Sequence, residues 1–151
     1  MKGEYLSSFR AVDGILQVGG LPVTEIAEAH GTPLYVIDEA RIRDNFRRVK
    51  GAFKGEARIY YAAKANSNIS VLRILLEEGA YVDASSPGEI FLALKAGFPS
   101  ERIMYTGTSV SREELEYAVD KGVSINVDSI SQMRNLISIA KPGFVSVRVN
   151  P

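Results

Sequence analysis

Apolar residues recur from Arg58 onward in short runs that lie about twenty residues apart. Each run is followed by a polar turn and then by a segment with apolar residues at helical spacing. Short, largely apolar runs of this kind are typical of strands that are buried on both faces. We therefore predict strands at residues 59–63, 81–84, 103–106, 124–127 and 144–149.

Helix start and end signals separate these runs. Ser86 matches an N-cap serine, Pro87 a proline at the first helical position, and Glu89 the third member of a capping box. The same box pattern recurs in Ser111 with Glu114 and in Ser129 with Gln132. A residue in the left-handed conformation commonly closes a helix. Glycines suited to that role follow at Gly79, Gly97 and Gly122.

Four successive strand-helix-strand units predict an α/β protein. Five parallel strands should lie in chain order, each joined to the next by a right-handed crossover. Two architectures accommodate that order, an open doubly wound sheet and a closed (β/α)8 TIM barrel. The G-x-G-x-x-G turn of a dinucleotide-binding sheet is absent after the first strand, although a flavodoxin-like sheet lacks it too.

Polar residues at the strand ends favour the barrel. In a barrel, the carboxyl ends of successive strands share one rim, where active sites are built. The residues at these positions are Lys64, Asp83, Thr106, Asn126, Asp128, Arg148 and Asn150. We expect a partial TIM barrel with about five of its eight strands, and a chain truncated at the C-terminal end.

The region before the repeat has a different pattern. A short helix is predicted at residues 24–30, and the apolar run at 34–37 is interpreted as an appended strand segment. Asp38 is a plausible N-cap for a helix over 39–53 that has Ile42, Phe46 and Val49 on one face. The chain is therefore divided into residues 1–38 and 39–151.

Composition limits the class of partner. With 46% hydrophobic residues, the chain has the make-up of an ordinary globular domain. Eighteen basic residues balance eighteen acidic ones, so no net field favours nucleic acid or a membrane surface, and a small molecule is the expected partner. The absence of cysteine excludes thiolate metal sites and fits a reducing cytoplasm. The N-terminus resembles neither a signal peptide nor a membrane span.

Among the residues at the strand ends, Lys64 is the one whose presence is least explained by a contribution to the stability of the fold. A lysine that ends a strand of Tyr, Ala and Ile is expected to point into a largely apolar barrel mouth. Such burial lowers the pKa of a lysine and makes its amine a nucleophile toward aldehydes. The alternative is a solvated loop lysine, and the strand pattern alone favours neither.

An ordered set of motifs resembles the fold-type III pyridoxal-phosphate decarboxylases, most closely the diaminopimelate decarboxylases. The motifs are Gly31-Thr32-Pro33-Leu34-Tyr35-Val36, Tyr61-Ala62-Ala63-Lys64-Ala65-Asn66-Ser67-Asn68, Asp83 with Ser86 and Gly88-Glu89, Ile125-Asn126-Val127-Asp128-Ser129, and Arg148-Val149-Asn150-Pro151. The resemblance implies pyridoxal 5'-phosphate as cofactor and Lys64 as the catalytic lysine that forms a Schiff base with it. The implied reaction is decarboxylation of meso-2,6-diaminopimelate to L-lysine and carbon dioxide.

The resemblance also implies cofactor contacts for Asp83 and Arg148. Asp83 would lie beside the cofactor, and Arg148 would approach it from the fifth strand. The structural alternatives are a strand-end aspartate satisfied by a nearby loop, and an ion pair between Arg148 and Asp83 or Asp128. A guanidinium in a barrel mouth needs such a partner.

Other polar residues have simpler explanations. Glu89 belongs to a capping box, Ser86 and Asn126 have cap or turn roles, and Asn66 can bond its own backbone in the turn after the first strand. His30 is expected at a helix end, and the carboxylates show no spacing that would hold a metal. The family usually has glycine at position 87, where this chain has a proline that stiffens the loop at the rim.

For the whole protein, the resemblance implies a cytoplasmic homodimer without nucleic-acid or membrane partners. Residues 1–38 would belong to a second, β-rich domain, and residues 39–151 would form the first part of the cofactor-binding barrel. Two alternatives stay open. One is a related decarboxylase that acts on ornithine, arginine or carboxynorspermidine, and the other is a non-catalytic pyridoxal-phosphate-binding barrel.

Overall fold

The chain folds into two β-sheets and a set of helices, described in a computed structural model over residues 9–149. A small antiparallel sheet contains β1 (Phe9–Val12), β2 (Ile15–Val18) and β3 (Leu21–Pro22). A parallel sheet contains β4 (Tyr60–Ala62), β5 (Tyr81–Ala84), β6 (Ile103–Tyr105), β7 (Ser124–Val127) and β8 (Ser146–Val147), in that order. The helices are α1 (Val23–His30), α2 (Glu39–Gly51), α3 (Ile69–Glu77), α4 (Pro87–Ala96), α5 (Arg112–Asp120) and α6 (Ile130–Ile139).

The predicted α/β class and the five parallel strands are confirmed. Three strands are shorter than predicted, at residues 60–62, 103–105 and 146–147. The last strand, β8, differs most from the prediction, and among the described strands it pairs only with β7. Helix α2 ends at Gly51, two residues before the predicted end.

The side chains of the parallel sheet separate into two faces. One set is buried against the helices and forms the core: Val82, Ala84, Ile103, Tyr105, Ile125 and Val127. The alternate residues, among them Asp83 and Asn126, are half-buried on the opposite face. Strand order runs from β4 to β8 without reversal, whereas a doubly wound sheet reverses its order and carries helices on both faces. The architecture is therefore a partial TIM barrel.

Serine caps start three helices, as predicted. Ser111 and Glu114 form a complete capping box, because each side chain bonds the backbone N–H of the other residue. In the other two pairs, the predicted box is only half formed. Ser86 and Ser129 accept hydrogen bonds from the backbones of Glu89 and Gln132, but these two side chains reach one residue further back, to Ser85 N and Asp128 N.

The N-terminal region is richer in strands than predicted. Two-residue turns join β1 to β2 and β2 to β3, at Asp13-Gly14 and Gly19-Gly20, and all four of these residues have positive φ. Asp-Gly and Gly-Gly are the sequence signals of such hairpins. Residues 34–37, which the sequence indicates as an appended strand segment, pair with no strand among the described residues, and Tyr35 is fully exposed.

Ion pairs join α2 to α3 outside the sheet. Arg43 contacts Glu39, Glu77 and Glu78, and Arg47 makes two further contacts with Glu78 at 2.6 Å. Hydrogen bonds from Arg47 and then from Arg43 hold the pKa of Glu78 below its usual value. The helix that precedes the barrel is thereby attached to the first barrel helix.

Candidate functional site

A polar cleft lies at the carboxyl ends of the parallel strands. Its volume is about 860 Å³, within the range of roughly 300–1,000 Å³ that is typical of small-molecule sites. The cleft is lined by Lys64, Asp83, Ser85, Thr106, Thr108, Asn126 and Arg148. Five of these are residues that the sequence placed on the rim. Of the remaining two predicted rim residues, Asp128 does not line the cleft and Asn150 lies outside the described residues.

Lys64 follows β4 in a single turn of 3-10 helix, Ala63–Ala65. Ala63 is completely buried, so it fixes the turn to the core while the neighbouring lysine is exposed to the cleft. Because the lining side chains are polar, the expectation of a largely apolar surrounding for Lys64 was wrong. The open mouth leaves its amine accessible to a ligand.

The turn after Lys64 is held by hydrogen bonds. Tyr61 Oη donates to the backbone oxygen of Asn66 at 3.1 Å, and Asn66 Oδ1 accepts from Asn68 N at 3.0 Å. The role of Asn66 in bonding its own backbone is therefore confirmed. Burial raises the pKa of Tyr61.

Asp83 lies near the end of β5, half-buried on the cleft side of the sheet. Thr106 Oγ1, on the neighbouring chain segment just after β6, donates a short hydrogen bond to Asp83 Oδ1. The carboxylate is thus satisfied by a residue across the strand pair, as the structural alternative required, and it lines the cleft at the same time.

Arg148 reaches the cleft directly after β8, where its backbone N donates to Val127 O at 2.8 Å. Next to it, Asn126 on β7 accepts a hydrogen bond from Ser146 Oγ on β8 at 2.8 Å. These contacts hold the two last strands together at the edge of the cleft.

Ser85 and Thr108 line the cleft but were not predicted from the sequence. Ser85 lies two residues after Asp83, and Thr108 two residues after Thr106, but both follow the end of their strand, so the alternation of side chains along a strand does not predict their position. Glu89 accepts hydrogen bonds from the N–H and the hydroxyl of Ser85, with N···O 2.8 Å. It therefore anchors a cleft residue from the first turn of α4.

Two other expectations concern residues away from the cleft. His30 ends α1, as predicted, and does not line the cleft. Within residues 9–149, no group of three or more histidine or carboxylate side chains is placed to hold a metal ion. No helix in the same range is long and apolar enough to cross a membrane.

The cleft combines groups that fit pyridoxal 5'-phosphate. Lys64 supplies an amine that can condense with an aldehyde, and Arg148 supplies a guanidinium that can pair with an anionic oxygen. Asp83 supplies a carboxylate, while Ser85 and Thr108 supply hydroxyl groups that donate or accept hydrogen bonds.

Comparison with known proteins assigns this chain to a family. The model of "Pyridoxal-dependent decarboxylase, pyridoxal binding domain" matches residues 39–151. The diaminopimelate decarboxylase of Methanothermobacter thermautotrophicus is 55% identical over 142 residues, which are 91% of this chain and 33% of that protein. That of Archaeoglobus fulgidus is 41% identical over 95% of this chain and 35% of its own length.

Solved structures agree with this result. A crystal structure of diaminopimelate decarboxylase from M. jannaschii in co-complex with L-lysine has a TM-score of 0.82 and 33% identity, covering 88% of this chain and 32% of that one. An Aquifex aeolicus crystal structure has a TM-score of 0.84 and 40% identity, covering 90% and 34%. The chain thus spans about a third of the length of these relatives. It belongs to the pyridoxal-dependent decarboxylases, as part of their pyridoxal-binding domain.

Proposed function

We propose that the complete protein carrying this sequence decarboxylates meso-2,6-diaminopimelate to L-lysine and carbon dioxide with pyridoxal 5'-phosphate. The observation that carries the proposal is the cleft, which combines Lys64, Asp83 and Arg148 at the carboxyl edge of a partial barrel. The choice of substrate is supported by the 55% identical relative, which is named diaminopimelate decarboxylase, and by a related structure in co-complex with L-lysine.

Lys64 is the proposed catalytic and cofactor-holding residue. Its amine would attach the cofactor through the aldehyde, and its position after a buried alanine gives that attachment point a fixed backbone. When bound, pyridoxal phosphate supplies a ring that accepts the electron pair released as carbon dioxide leaves.

Asp83 and Arg148 are the proposed cofactor-binding partners of Lys64. Asp83 presents a carboxylate from the inner face of β5, where it can accept a hydrogen bond from a bound molecule. Arg148 presents a planar guanidinium from the other end of the described sheet, where it can hold an anionic oxygen. A small molecule bound in the cleft would be within reach of both residues, because both line it.

The same proposal extends to the organisation of the whole protein. Residues 39–151 would be the first part of the cofactor-binding barrel, and residues 1–38 the N-terminal segment of a β-rich domain. The match of the family model to residues 39–151 supports this division, as does the separate antiparallel sheet formed by β1 to β3. We further propose a cytoplasmic homodimer, and the lack of cysteine is consistent with a reducing compartment.

The test is an assay of the complete protein with pyridoxal phosphate and meso-diaminopimelate. Wild-type protein should release carbon dioxide and L-lysine, while Lys64→Ala should lose both activity and covalent attachment of the cofactor. Lys95→Ala is the matched control, because Lys95 lies on α4 with its amine over the Phe91 ring and does not line the cleft. It should retain activity and attachment.

The other outcomes distinguish the assignment of the cofactor from the assignment of the substrate. Turnover of ornithine or arginine without turnover of diaminopimelate would keep the cofactor assignment and overturn the substrate. A structure of lysine/ornithine decarboxylase from Vibrio vulnificus, complexed with putrescine, shares the fold at a TM-score of 0.73 and 26% identity. Covalent attachment without turnover of any amino acid would indicate a non-catalytic cofactor carrier.

A further inference from the structure

A hydrogen bond joins Thr106 and Asp83, two side chains that both line the cleft. Thr106 Oγ1 donates to Asp83 Oδ1 across two neighbouring segments of the sheet. We propose that Thr106 is a positioning residue, which orients the Asp83 carboxylate toward the bound cofactor. This inference rests on the proposed function, since it concerns the same cleft.

Both partners are held firmly by the sheet. Asp83 lies between Val82 and Ala84, which are completely buried and fix the backbone of β5. The backbone N of Thr106 donates to Ala84 O at 2.8 Å, so the parallel ladder continues to this residue. The threonine hydroxyl is therefore presented from a rigid backbone, as a group that orients another side chain must be.

The hydrogen bond gives the two carboxylate oxygens different surroundings. Oδ1 accepts from Thr106, whereas Oδ2 has no hydrogen-bond partner among residues 9–149. A hydrogen bond to an ionised carboxylate is stronger than one between neutral groups, and it restricts rotation of the side chain. With Oδ1 held in this way, Oδ2 is left for a group bound in the cleft.

The turn that follows Thr106 is closely packed around Gly107. A side chain at Gly107 would place its Cβ 2.7 Å from Tyr105 Oη and 2.7 Å from Val110 Cγ2. Because Gly107 has no side chain, the turn can pack closely while Thr106 and Thr108, on either side of it, both line the cleft. Strand propensity alone would favour valine at position 106 as much as threonine.

The experiment measures binding of pyridoxal phosphate to the complete protein by equilibrium titration. Thr106→Val replaces the hydroxyl with a methyl group of similar size and should weaken binding about tenfold, the loss expected for a hydrogen bond to a charged group. Thr106→Ser retains the donor and should restore binding to within about twofold of wild type. Thr24→Val, the same exchange at a site on α1 away from the cleft, is the control and should bind as wild type does.

A double-mutant cycle separates positioning from a general structural effect. In an Asp83→Ala background, Thr106→Val should cause no additional loss of binding, because the residue that it positions is gone. An equal loss in both backgrounds would overturn the inference, as would wild-type binding by Thr106→Val. Thr106→Ala is measured in parallel, so that a folding defect of the valine variant, detected by circular dichroism, does not prevent the comparison.

Lys64→Ala distinguishes this inference from the proposed function. If wild-type protein attaches the cofactor and Lys64→Ala does not, wild-type binding by the Thr106 variants overturns the positioning role alone. If wild-type protein does not bind pyridoxal phosphate, the proposed function fails, and the role of Thr106 fails with it.

Discussion

Gly107 shows how a residue without a side chain contributes to the cleft. It is buried in the turn between Thr106 and Thr108, directly after β6. The nearest atoms to a methyl group at this position would belong to Tyr105 and Val110, and Tyr105 is itself almost fully buried. Glycine is therefore required here because there is no room for a side chain, and not because of the backbone conformation.

We expect Gly107→Ala to lower the free energy of unfolding by about 1–3 kcal/mol, because the methyl group overpacks a rigid region. The variant should also weaken pyridoxal phosphate binding, since the neighbouring threonines would shift. Chemical denaturation and cofactor titration of the complete protein measure the two effects. Gly51→Ala is the control, because a Cβ at this position in α2 meets nothing within 4 Å and should not destabilise the protein. Equal stability of Gly107→Ala and wild type would contradict the steric argument.

At the scale of single residues, the sequence predicts which residues belong to the candidate site better than it predicts which side chains surround each of them. The lysine motif and its relation to a known family single out Lys64, but the neighbours of Lys64 come from several separate strands. Ser85 and Thr108 were missed, and the apolar setting expected for Lys64 is polar in the structure. The donor that satisfies Asp83 is 23 residues away along the chain, so local pattern could not identify it.

The arrangement of α2 and α3 depends on charged groups that come together only in the folded protein. The Glu78 side chain is 9% exposed and contacts both Arg43 and Arg47. These hydrogen bonds favour the ionised carboxylate and lower its pKa. A group whose pKa is lower in the folded state than in the unfolded chain stabilises the fold fully at pH values above its unfolded-state pKa. This stabilisation is lost as the pH falls through the pKa of the folded state.

We therefore expect the thermal midpoint of wild-type protein to fall as the pH drops below 4.5, the ordinary pKa of glutamate. Glu78→Gln should have a lower midpoint at neutral pH and a shallower decline in acid. Thermal melts followed by circular dichroism from neutral pH to about pH 3 provide the comparison. Glu116→Gln, which removes an ion pair within α5, should decline as wild type does. Parallel curves for Glu78→Gln and wild type would refute this explanation of the acid sensitivity.

Helices and strands were predictable where their signals are local. Cap residues, helix-ending glycines and short apolar runs placed all of the parallel strands and the helices between them, with small errors at the ends. Glu89 and Gln132 bonded one residue further back than a capping box requires, which is a matter of loop geometry. The hairpins around Asp13-Gly14 and Gly19-Gly20 have a local signal as well, since both residue pairs have positive φ and are typical of two-residue hairpin turns.

Both edges of the parallel sheet are open in the described part of the molecule. β4 pairs only with β5, and β8 pairs only with β7. An unpaired strand edge presents free N–H and C=O groups to other chains. Large apolar side chains are exposed as well, including Phe144 and Val147 near one edge.

We expect a polypeptide limited to residues 1–151 to self-associate, to melt with low cooperativity and to lack decarboxylase activity. Size-exclusion chromatography with light scattering, calorimetry and the decarboxylation assay would measure these properties, with the complete protein as the control. Monomeric elution together with a sharp thermal transition would show that the open edges do not govern its behaviour.

At the scale of the whole molecule, the sequence determined the number and order of the parallel strands, because strand runs and helix caps are local signals repeated along the chain. It also determined which residues end the strands, and five of these, Lys64, Asp83, Thr106, Asn126 and Arg148, line the cleft. Tertiary structure alone decided that the helices cover a single face, which separates a partial barrel from a doubly wound sheet. It also decided that Thr106 bonds Asp83 Oδ1 and that Arg43 contacts Glu78, since each pair joins distant segments whose register only packing can set.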